Sequence, residues 1–420
     1  MEFQSIKGFK DILPGESTIW QQLEAEARKK FSTFGFEEIK TPIVERTELF
    51  SRGIGQETDI VSKEMYSFAD SKGRGLTLRP EATASVVRAY IQNRLYQAFP
   101  VQKLYSIGPM FRHERPQKGR FRQFHQINAE LFGDAGPKSD AEIILMAVYL
   151  LEDLPLGDLS LRINSLGCPE CRPAFKEKLQ ATLQEKTDRL CVDCTKRLGF
   201  NPLRIFDCKL DSCKEVVSDA PVIVDFLCRG CNEHFHRLQE YLNDYGITYI
   251  LNSKLVRGLD YYNKTTFEIQ TELLGAQNAV AGGGRYDGLI KLLGGPDHAA
   301  IGFAMGMERI IALIEMSKTR EEKNPDLFIA AIGDAADRAS FIWAGKLRKS
   351  GLWVEWDYGS HGLKSQMKKA GRLQARKVLI VGDDEMKSGK GILRDMAGKA
   401  QMVLDLGNIV PALEDILKNG

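Results

Sequence analysis

A short charged segment divides the 420-residue chain into two parts with different patterns of secondary structure. The segment, KTREEKNP at 318–325, contains no large apolar residue and ends with a proline. Beyond it, strand-like and helical runs alternate, beginning with DLFIAAIG, ASFIWAGKLRKSG and LWVEWDY. This alternation predicts a linker at 318–325, followed by a small α/β domain at 326–420 that is built on a largely parallel sheet.

Residues 1–317 have the pattern of an α+β domain. An amphipathic helix is predicted over 16–34, followed by a strand over 36–44 that turns at Pro42. Short strand patterns then flank one helix at 82–95, which is typical of an antiparallel sheet rather than of a doubly wound fold. The other predicted elements are strands at 76–80, 103–114, 121–133, 159–167, 248–251, 261–272 and 276–284, helices at 138–153 and from Tyr286, and a strand that leads into a helix over 302–316.

The composition excludes several classes of protein. Lys and Arg number 58 against 56 Asp and Glu, a net charge of +2, so a nucleic-acid partner would have to be bound by local basic patches. No apolar run is long enough to predict a membrane span, and the N-terminal segment lacks the apolar core of a secretory signal. We therefore expect a cytoplasmic protein whose cysteines stay reduced or bind metal.

All eight cysteines lie between positions 168 and 231, within a charged and mostly helical insertion predicted at about 168–245. The run Cys168-x2-Cys171-x19-Cys191-x2-Cys194 has the spacing typical of a four-thiolate zinc site. The residues available for a second site are Cys208, Cys213, Cys228, Cys231, His234 and His236. The insertion either holds structural zinc or packs reduced thiols among its helices, and the sequence leaves both alternatives open.

Two separated segments place arginine beside aromatic or glycine residues on predicted strands. The first is FRHER at 111–115, joined through a basic loop at 115–120 to FRQF at 121–124. The second is GFAMGMER at 302–309, in which Arg309 begins the helix after a glycine-containing strand. Guanidinium groups form paired hydrogen bonds with phosphate, and glycines let a flat ring approach the backbone closely. Together the segments predict a site for a polyphosphate and a nucleic-acid end.

These segments resemble motifs 2 and 3 of the class II aminoacyl-tRNA synthetases, and the strand over 36–44 resembles motif 1. LVRGLDYY at 255–262 and AGGGRYD at 281–287 resemble the two signatures of the histidyl-tRNA synthetases, and TLRPEAT at 77–83 also matches that family. The resemblance begins at KGFKD, residues 7–11, and runs through the C-terminal domain. It implies a class II catalytic domain with a six- or seven-stranded antiparallel sheet and a helical insertion, followed by an α/β anticodon-binding domain.

The resemblance also implies a reaction, in which histidine and ATP form histidyl-adenylate and pyrophosphate before histidine is transferred to the 3′ end of its tRNA. Arg112 corresponds to the motif 2 arginine that holds the α-phosphate and the substrate carboxylate, and Arg257 corresponds to an arginine that faces this phosphate from the other side. Phe124 corresponds to the residue on which adenine stacks, and Arg309 to the arginine near the γ-phosphate. Fixed positive charge suits this chemistry because two anions must be brought together. For Arg257, a salt bridge to Asp260 or to a neighbour is the alternative.

Histidine recognition is assigned by the same resemblance. A neutral imidazole has one donor and one acceptor, so a selective pocket needs both kinds of partner. Glu130 and Tyr262 are expected to contact the ring, and their burial would disfavour apolar analogues. The residues expected to hold the rest of the substrate are Glu81, Ala82, Thr83, Arg112, Gln126, Arg257 and Tyr261. His113 and His125 are expected to be structural, so we assign no protein general base and expect a substrate phosphate to assist the transfer step.

The implied partners are a histidine tRNA, L-histidine, ATP with Mg²⁺, and a second copy of the chain, because motif 1 forms a two-fold interface in this class. The loop at 115–120 resembles the motif 2 loop that contacts the acceptor end of the tRNA, with Arg115 and Gln117 as the expected contacts. A charge stripe on an exposed helix face usually marks a solvated surface. In the C-terminal domain such a stripe is predicted to contain Lys364, Lys368, Lys369, Arg372, Arg376 and Lys377.

Two other functions share parts of this pattern. The synthetase-like regulatory subunit of ATP phosphoribosyltransferase binds histidine without aminoacylation, but such paralogues lack the C-terminal domain and the full set of Arg112, Arg257 and Arg309. A class II enzyme for prolyl, threonyl or glycyl transfer would not carry LVRGLDYY and AGGGRYDG. The histidine–tRNA ligase reaction is therefore the function that we expect.

Overall fold

Apart from the side chains of residues 276 and 277, the computed structural model describes residues 3–55, 58–117, 119–317, 324–359 and 361–419. The chain divides into two compact units, Met1–Arg320 and Glu321–Gly420. Most of the linker predicted at 318–325 falls on residues 318–323, which lie outside the described residues. The domain limits predicted at 317 and 326 therefore stay a prediction.

The strands are numbered in chain order. Those of the first unit are β1 (Glu37–Glu38), β2 (Val44–Arg46), β3 (Tyr66–Ala69), β4 (Gly75–Leu78), β5 (Gln102–Phe111), β6 (Gln123–Phe132), β7 (Ser160–Ser165), β8 (Ile250–Leu251), β9 (Asn263–Gln270), β10 (Ala279–Arg285) and β11 (Ala300–Gly306). Those of the second unit are β12 (Leu327–Ala331), β13 (Val354–Trp356), β14 (Lys377–Val381), β15 (Lys390–Asp395) and β16 (Gln401–Asp405).

The helices are numbered in the same way. Those of the first unit are α1 (Glu16–Thr33), α2 (Thr47–Ile54), α3 (Thr83–Gln92), α4 (Pro137–Glu152), α5 (Arg172–Gln184), α6 (Val192–Phe200), α7 (Asp211–Val216), α8 (Arg229–Asp244), α9 (Leu289–Leu292) and α10 (Met307–Met316). Those of the second unit are α11 (Asp334–Lys349), α12 (Leu363–Arg372), α13 (Asp383–Ser388) and α14 (Ile409–Asn419). No helix among the described residues is long and apolar enough to cross a membrane.

An eight-stranded sheet forms the centre of the first unit, in the order β1-β5-β6-β11-β10-β9-β7-β8. Its six inner strands are antiparallel throughout, and the short strands β1 and β8 add parallel pairings at the two edges. The β5–β6 hairpin is paired over its full length, from Gln102 opposite Phe132 to Phe111 opposite Gln123. The predicted α+β fold with an antiparallel sheet is confirmed, but the sheet has eight strands instead of the expected six or seven, because β1 and β8 add an edge strand on each side.

Residue alternation along β6 separates the core from the site. Ile127, Ala129 and Leu131 are buried in the core that the sheet shares with α1, α4 and α10. Successive side chains of a strand point to opposite faces. The neighbouring even-numbered residues of β6 therefore point to the other face of the sheet. Gln126 and Glu130, two of the predicted site residues, are in this second set.

The strand predicted over 36–44 is wrong as a single element. Its first part pairs with β5 as β1, whereas its last residue begins β2, which belongs to a separate three-stranded sheet in the order β2-β4-β3. Pro42 has no backbone N–H for a sheet ladder, which explains why the pairing stops between the two. The helix predicted from Tyr286 is also shorter than expected, since α9 spans four residues between Gly288 and Gly294, both with positive φ.

The second unit contains a five-stranded sheet in the order β13-β12-β14-β15-β16. The first three strands are parallel, but the β14–β15 and β15–β16 pairs are antiparallel. The prediction of a largely parallel sheet is therefore correct for only half of the pairings. The connections at 382–389 and 396–400 are too short for a parallel crossover, which needs a dozen or more residues.

Candidate active site

The β5–β6 hairpin brings Arg112 and Phe124 together. Arg112 follows β5 directly, and its Nε donates a hydrogen bond to the carbonyl oxygen of Pro80 at 2.9 Å. Its guanidinium carbon lies 5.2 Å from the ring centroid of Phe124, a cation–π contact. Burial lowers the pKa of Arg112, and the charge of Glu64 opposes this effect. An arginine in this setting stays charged at neutral pH.

Arg309 lies in the first turn of α10, immediately after β11. Its Nη1 donates to the carbonyl oxygen of Ala279 at 2.6 Å, and its Nε donates to that of Gly119 at 3.2 Å. Burial lowers the pKa of Arg309, and the neighbouring charges of Arg120 and Arg112 lower it further. The guanidinium is therefore held at the hairpin tip, where an added anion would relieve the repulsion among the cations.

Arg257 lies in the loop before β9 and pairs with Glu268 on that strand, with 2.7 Å between Nη1 and Oε2. The salt bridge considered as an alternative is therefore present, with Glu268 as the partner. A Cβ atom at Gly282 would lie 2.4 Å from Nη1 of Arg257, so only glycine leaves room for the guanidinium at this position of β10. Burial disfavours the charge of Arg257, but Tyr262 and Glu268 outweigh burial and raise its pKa.

The three predicted arginines line one cleft, together with Arg120. The described acidic residues in its lining are Glu114 and Glu308, and Glu114 forms an ion pair with Arg120. Small residues of β10 and β11 complete much of the remaining wall. Four guanidinium groups facing two carboxylates leave a net positive cleft with space beside the backbone, which suits a polyphosphate group.

Glu130 lies on β6 with 1% of its surface exposed, and both of its carboxylate oxygens accept hydrogen bonds. Thr83 Oγ1 donates to Oε1 at 2.6 Å, and the Tyr286 hydroxyl donates to Oε2. Burial raises the pKa of Glu130 to about 8, although these two hydrogen bonds favour the ionised form. Gly302 pairs with Glu130 across the sheet, and a Cβ atom there would lie 1.8 Å from Oε2. The strand β11 therefore needs glycine at this point.

Glu81 fixes the start of α3. Its two carboxylate oxygens accept hydrogen bonds from the backbone N–H groups of Thr83 at 2.6 Å and Ala84 at 2.9 Å. This arrangement satisfies two donors at a helix N-terminus that would otherwise lack partners. Burial raises the pKa of Glu81. The predicted residues Glu81, Ala82 and Thr83 thus form one buried corner next to Glu130.

Three tyrosines pack next to this corner. The ring centroids of Tyr261 and Tyr262 are 4.7 Å apart, and those of Tyr261 and Tyr286 are 5.5 Å apart. The guanidinium carbon of Arg257 lies 5.7 Å from the ring centroid of Tyr262. Burial raises the pKa of all three phenols, which stay neutral donors. Tyr286 was not predicted as a site residue, although AGGGRYD contains it.

Gln126 lines the arginine cleft from β6, and its Oε1 atom is buried with no hydrogen-bond partner among the described residues. The neighbouring His125 is held by Glu308, at 2.8 Å from the backbone N and 3.0 Å from Nδ1 to Oε1, and its ring lies against Trp20. The ring of His113 lies against that of Tyr66. These contacts fit the structural roles expected for the two histidines.

A buried ion pair behind the site was also not predicted. Arg285, at the end of β10, is fully buried and donates from Nε to Oδ1 of Asp140 at 2.9 Å. His234 Nε2 lies 2.8 Å from the other oxygen of Asp140. His234 therefore joins helix α8 to α4 and is not part of a cysteine group. The available signal was the charged Arg285 inside an otherwise apolar and glycine-rich strand.

The predicted tRNA contacts lie on the surface. Arg115 and Gln117 are exposed, and the tip of the loop is closed by backbone hydrogen bonds between Gln117 and Arg120 at 2.9 and 3.1 Å. The role predicted for these residues stays a prediction. Lys118, the other cation near the tip, lies outside the described residues.

The basic stripe predicted in the second unit is shorter than expected. Helix α12 ends at Arg372, whereas Lys377 begins β14 and pairs with Asp395 at 3.1 Å. Arg376 lies between the two elements and pairs with Asp326. The exposed cations that remain on α12 are Lys364, Lys368 and Arg372.

The cysteines form two groups, and their membership differs from the predicted spacing. The first cysteine cluster contains Cys168, Cys171, Cys228 and Cys231, and the second contains Cys191, Cys194, Cys208 and Cys213. Within each cluster the four sulfur atoms lie within 4.8 Å of one another. The prediction that 168, 171, 191 and 194 form one group is wrong, because the start of α8, with Cys228 and Cys231, returns to the first pair, whereas Cys191 and Cys194 meet Cys208 and Cys213.

Comparisons with known proteins agree with this geometry. Residues 8–310 match the family model of histidyl-tRNA synthetase, and residues 326–416 match that of an anticodon binding domain. The chain is 55% identical over 417 residues to a histidine–tRNA ligase of Desulfosudis oleivorans, covering 99% of both chains. It is 53% identical over 415 residues to a histidine–tRNA ligase of Desulfatibacillum aliphaticivorans, again covering 99% of both.

A solved structure gives the same result. The crystal structure of apo histidyl-tRNA synthetase from S. aureus superposes with a TM-score of 0.83 at 35% sequence identity, covering 98% of this chain and 100% of that chain. The sequence match, the superposition and the arginine cleft beside the Glu130 pocket all point to one family. The chain belongs to the histidyl-tRNA synthetases.

Proposed function

We propose that the chain is a histidine–tRNA ligase that joins histidine to ATP as histidyl-adenylate and then transfers histidine to the 3′ end of its tRNA. The observation that carries this proposal is the adjacency of two sites in one unit. The first is the cleft lined by Arg112, Arg257 and Arg309. The second is the buried corner around Glu130, which we call the Glu130 pocket, and Gln126 on the same strand lines the cleft. A nucleotide in the first and an amino acid in the second would place their reacting groups beside the same arginines.

The cleft would hold ATP through its charge and its aromatic wall. Phe124 lines the cleft and would stack with adenine, and Arg112 contacts the same ring as a cation. The terminal phosphates would offset the repulsion that Arg112 and Arg120 exert on Arg309. Mg²⁺ bound together with ATP would neutralise part of the charge of the phosphates. Glu114 and Glu308 line the cleft and have the carboxylate oxygens that this ion prefers.

The pocket would distinguish histidine from other amino acids by its hydrogen bonds. Glu130 accepts a hydrogen bond from an imidazole N–H when it is ionised, and the neutral phenol of Tyr262 can donate to the other ring nitrogen. Gln126 has an unsatisfied buried oxygen that suits the α-ammonium group. An apolar side chain would bury Glu130 and Tyr262 further without supplying the hydrogen bonds that an imidazole makes to them, at a cost of about 1–3 kcal/mol for each of the two groups.

Adenylate formation requires positive charge at the α-phosphate and no proton transfer from the protein. A histidine carboxylate oxygen attacks the α-phosphorus, a new P–O bond forms, and the bond to pyrophosphate breaks. Arg112 and Arg257 would stabilise the extra negative charge on the α-phosphoryl oxygens. In the second step a ribose hydroxyl attacks the carbonyl carbon, and AMP leaves. His125 and His113 are held by other partners, so we propose that the adenylate phosphate accepts the hydroxyl proton.

The RNA would contact both units. The exposed Arg115 and Gln117 are placed to reach the acceptor end beside the cleft, and the second unit would bind the anticodon. We also propose that the chain works in the cytoplasm as a homodimer joined through the motif 1 region. Structural zinc in the insertion, which the sequence left open against reduced thiols, is supported by the two cysteine clusters, each of which could hold one ion.

Charging of a histidine tRNA transcript tests the proposed function. With ATP, Mg²⁺ and labelled histidine, the protein should accumulate histidyl-tRNA, and a transcript with the anticodon and acceptor stem of another tRNA should stay uncharged. Histidine binding without charging of any transcript would contradict the proposal. That result would support the alternative hypothesis, a regulatory subunit of ATP phosphoribosyltransferase. The full-length similarity to ligases argues against this alternative.

A further inference from the structure

The first cysteine cluster joins two ends of the insertion. Cys168 and Cys171 lie between β7 and α5, and Cys228 and Cys231 lie at the start of α8. Sγ of Cys168 is 3.6 Å from that of Cys171 and 3.9 Å from that of Cys228. The backbone N–H of Cys228 donates to Sγ of Cys171 at 3.1 Å. The start of the insertion and the start of α8 are thus brought together at the first cysteine cluster, next to the contact between Phe175 and Phe226.

The second cysteine cluster lies wholly inside the insertion. Cys191 and Cys194 begin α6, Cys208 follows a short helical turn, and Cys213 lies in α7. The Sγ atoms of Cys191 and Cys208 are 4.0 Å apart. Backbone N–H groups donate to sulfur here also, from Cys191 to Cys213 at 3.2 Å and from Cys194 to Cys191 at 3.4 Å.

These distances correspond to a tetrahedron around one ion. Four sulfurs bound to zinc at about 2.3 Å lie about 3.8 Å from one another, close to the 3.6 to 4.0 Å separations observed. A disulfide would need about 2.05 Å and would use only two of four sulfurs. N–H···S hydrogen bonds support thiolates in the outer shell of such sites. Two independent clusters, each with four sulfur atoms within 4.8 Å of one another, favour a metal over loosely packed thiols.

The local fold gives a reason for the metal. Helices α6 and α7 have nine and six residues, and helices of this length are not stable alone in water. The core inside the insertion is small, and Cys194 and Cys213 themselves belong to it. A metal bound to four thiolates supplies folding free energy directly.

We infer that the insertion binds two structural zinc ions, one in each cysteine cluster, and that they fix the residues that hold the loop at 257–262. Arg172 follows Cys171 and donates from Nη2 to the carbonyl oxygen of Tyr262. Arg204, in the segment that leads to Cys208, donates from Nη1 to the carbonyl oxygen of Arg257 at 2.7 Å.

Asn201, at the end of α6, adds a third contact to this loop. Its Nδ2 donates to Oδ1 of Asp260 at 2.8 Å. The loop is thus held from both clusters, and it carries three residues of the proposed histidine site, Arg257, Tyr261 and Tyr262. This second part of the inference, the link from zinc to substrate, rests on the proposed function, whereas the metal sites do not.

Metal analysis of the full chain, purified without chelator or metal-affinity steps, tests the two sites. We expect two equivalents of zinc per chain in the wild type and one in either Cys228→Ser or Cys208→Ser. Cobalt incorporated in place of zinc should give the charge-transfer and visible absorption bands of tetrahedral cobalt thiolate. The cobalt spectrum of the wild type keeps the test decisive even where a cysteine variant does not fold.

Three results would overturn the assignment. Wild-type protein that stays below half an equivalent of zinc after incubation with Zn²⁺ would show that the thiols are free. Iron in place of zinc would refute the identity of the metal. A single equivalent in the wild type would refute the two-site arrangement, and the two cysteine variants would identify the site that is real.

The link to the substrate loop is tested with Arg172→Met, against Arg189→Met as the matched control. Arg189 is an exposed arginine of the same insertion that pairs with Glu215. Both variants should keep two equivalents of zinc. In Arg172→Met the KM for histidine should rise about tenfold, the effect of losing one charged hydrogen bond, while the KM for ATP stays unchanged.

An unchanged KM for histidine in zinc-loaded Arg172→Met would refute the link. A zinc-loaded wild type with no histidine-dependent activity would instead refute the proposed function and leave the two metal sites standing. The two failures are therefore distinguishable in one set of preparations.

Discussion

Tyr286 donates its phenolic hydrogen to Oε2 of Glu130, the oxygen that the Thr83 hydroxyl does not contact. The two residues are far apart in the sequence and meet because β10 and β6 both flank β11. With both oxygens occupied, the carboxyl group is fixed in orientation before any substrate enters. Because the carboxyl group is already oriented, substrate binding does not have to include the free-energy cost of orienting it.

This carboxyl group predicts a pH dependence of histidine use. Burial raises the pKa of Glu130 to about 8 in the free protein, so at pH 7 most molecules carry the proton there. The ionised form is the one that accepts an imidazole N–H, and raising the pH through 8 increases its fraction. We expect kcat/KM for histidine in pyrophosphate exchange to rise between pH 7 and 9.

Glu130→Gln is the matched variant for this pH profile, since it keeps the shape and has no proton to lose. Its kcat/KM should be low and should lack the rise near pH 8. A rise of the same size in the variant would assign the titration to the substrate or to another residue. The KM for ATP serves as the internal control in both proteins.

Gly302→Ala should damage the same pocket through size alone. The added methyl group would lie 1.8 Å from Oε2 of Glu130 and 2.4 Å from the carbonyl oxygen of Ala129. We expect a loss of about 1–3 kcal/mol in the free energy of unfolding and a raised KM for histidine, measured by urea denaturation and exchange kinetics.

Gly53→Ala is the control for this substitution, because its added methyl group meets only ordinary contacts of 3.6 Å or more. Gly53 lies in α2, where alanine should keep or slightly raise the free energy of unfolding and leave the KM for histidine unchanged. Equal stability and equal KM in Gly302→Ala and the wild type would mean that the Glu130 carboxyl group can move aside at no cost.

Arg257→Ala should reduce the maximal rate of adenylate formation by about a hundredfold to a thousandfold, the effect of removing one preorganised donor from a transition-state site. Arg257→Lys keeps the charge but not the guanidinium fork, so we expect partial recovery. The measurement is histidine-dependent pyrophosphate exchange at saturating ATP. Arg189→Ala, an exposed change in the insertion, controls for loss of charge alone. Full activity in Arg257→Ala would reduce the role of Arg257 to its ion pair with Glu268.

Gln117→Ala should separate the two half-reactions. Gln117 is exposed at the tip of the hairpin loop, so the variant should keep the wild-type rate of pyrophosphate exchange. Its kcat/KM for tRNA should fall about tenfold, the effect of losing one base contact. Gln22→Ala on the exposed side of α1 is the matched control. Equal losses in exchange and charging would mean that the loop acts on the cleft rather than on RNA.

Local patterns were enough to predict much of this molecule. Helix α1 and the strands β5 and β6 followed from apolar spacing, and the arginines of the cleft followed from short segments that fold locally. The antiparallel class of the sheet was also predictable. Short strands joined by hairpins or by single helices are typical of an antiparallel sheet and not of a doubly wound parallel one. The prediction of a single strand over 36–44 was wrong because Pro42 interrupts a segment whose other residues have strand composition.

Features that depend on contacts between distant segments were not predictable in the same way. The pairing of Cys171 with Cys228 rather than with the nearer Cys191 depends on the path of α5 through the insertion. The contact of Tyr286 with Glu130 depends on strand order, which spacing along the chain does not give. The antiparallel β15–β16 pair follows only once the connection is known to be too short for a crossover.

The central claim is that the Glu130 pocket selects histidine and the arginine cleft activates it. Exchange of labelled pyrophosphate into ATP, measured on the wild-type protein with each of the twenty amino acids in turn, tests this claim most directly. The account predicts exchange with histidine that exceeds the exchange with every other amino acid by at least about a hundredfold. A folded protein that gives no exchange with histidine, or equal exchange with another amino acid, would contradict it.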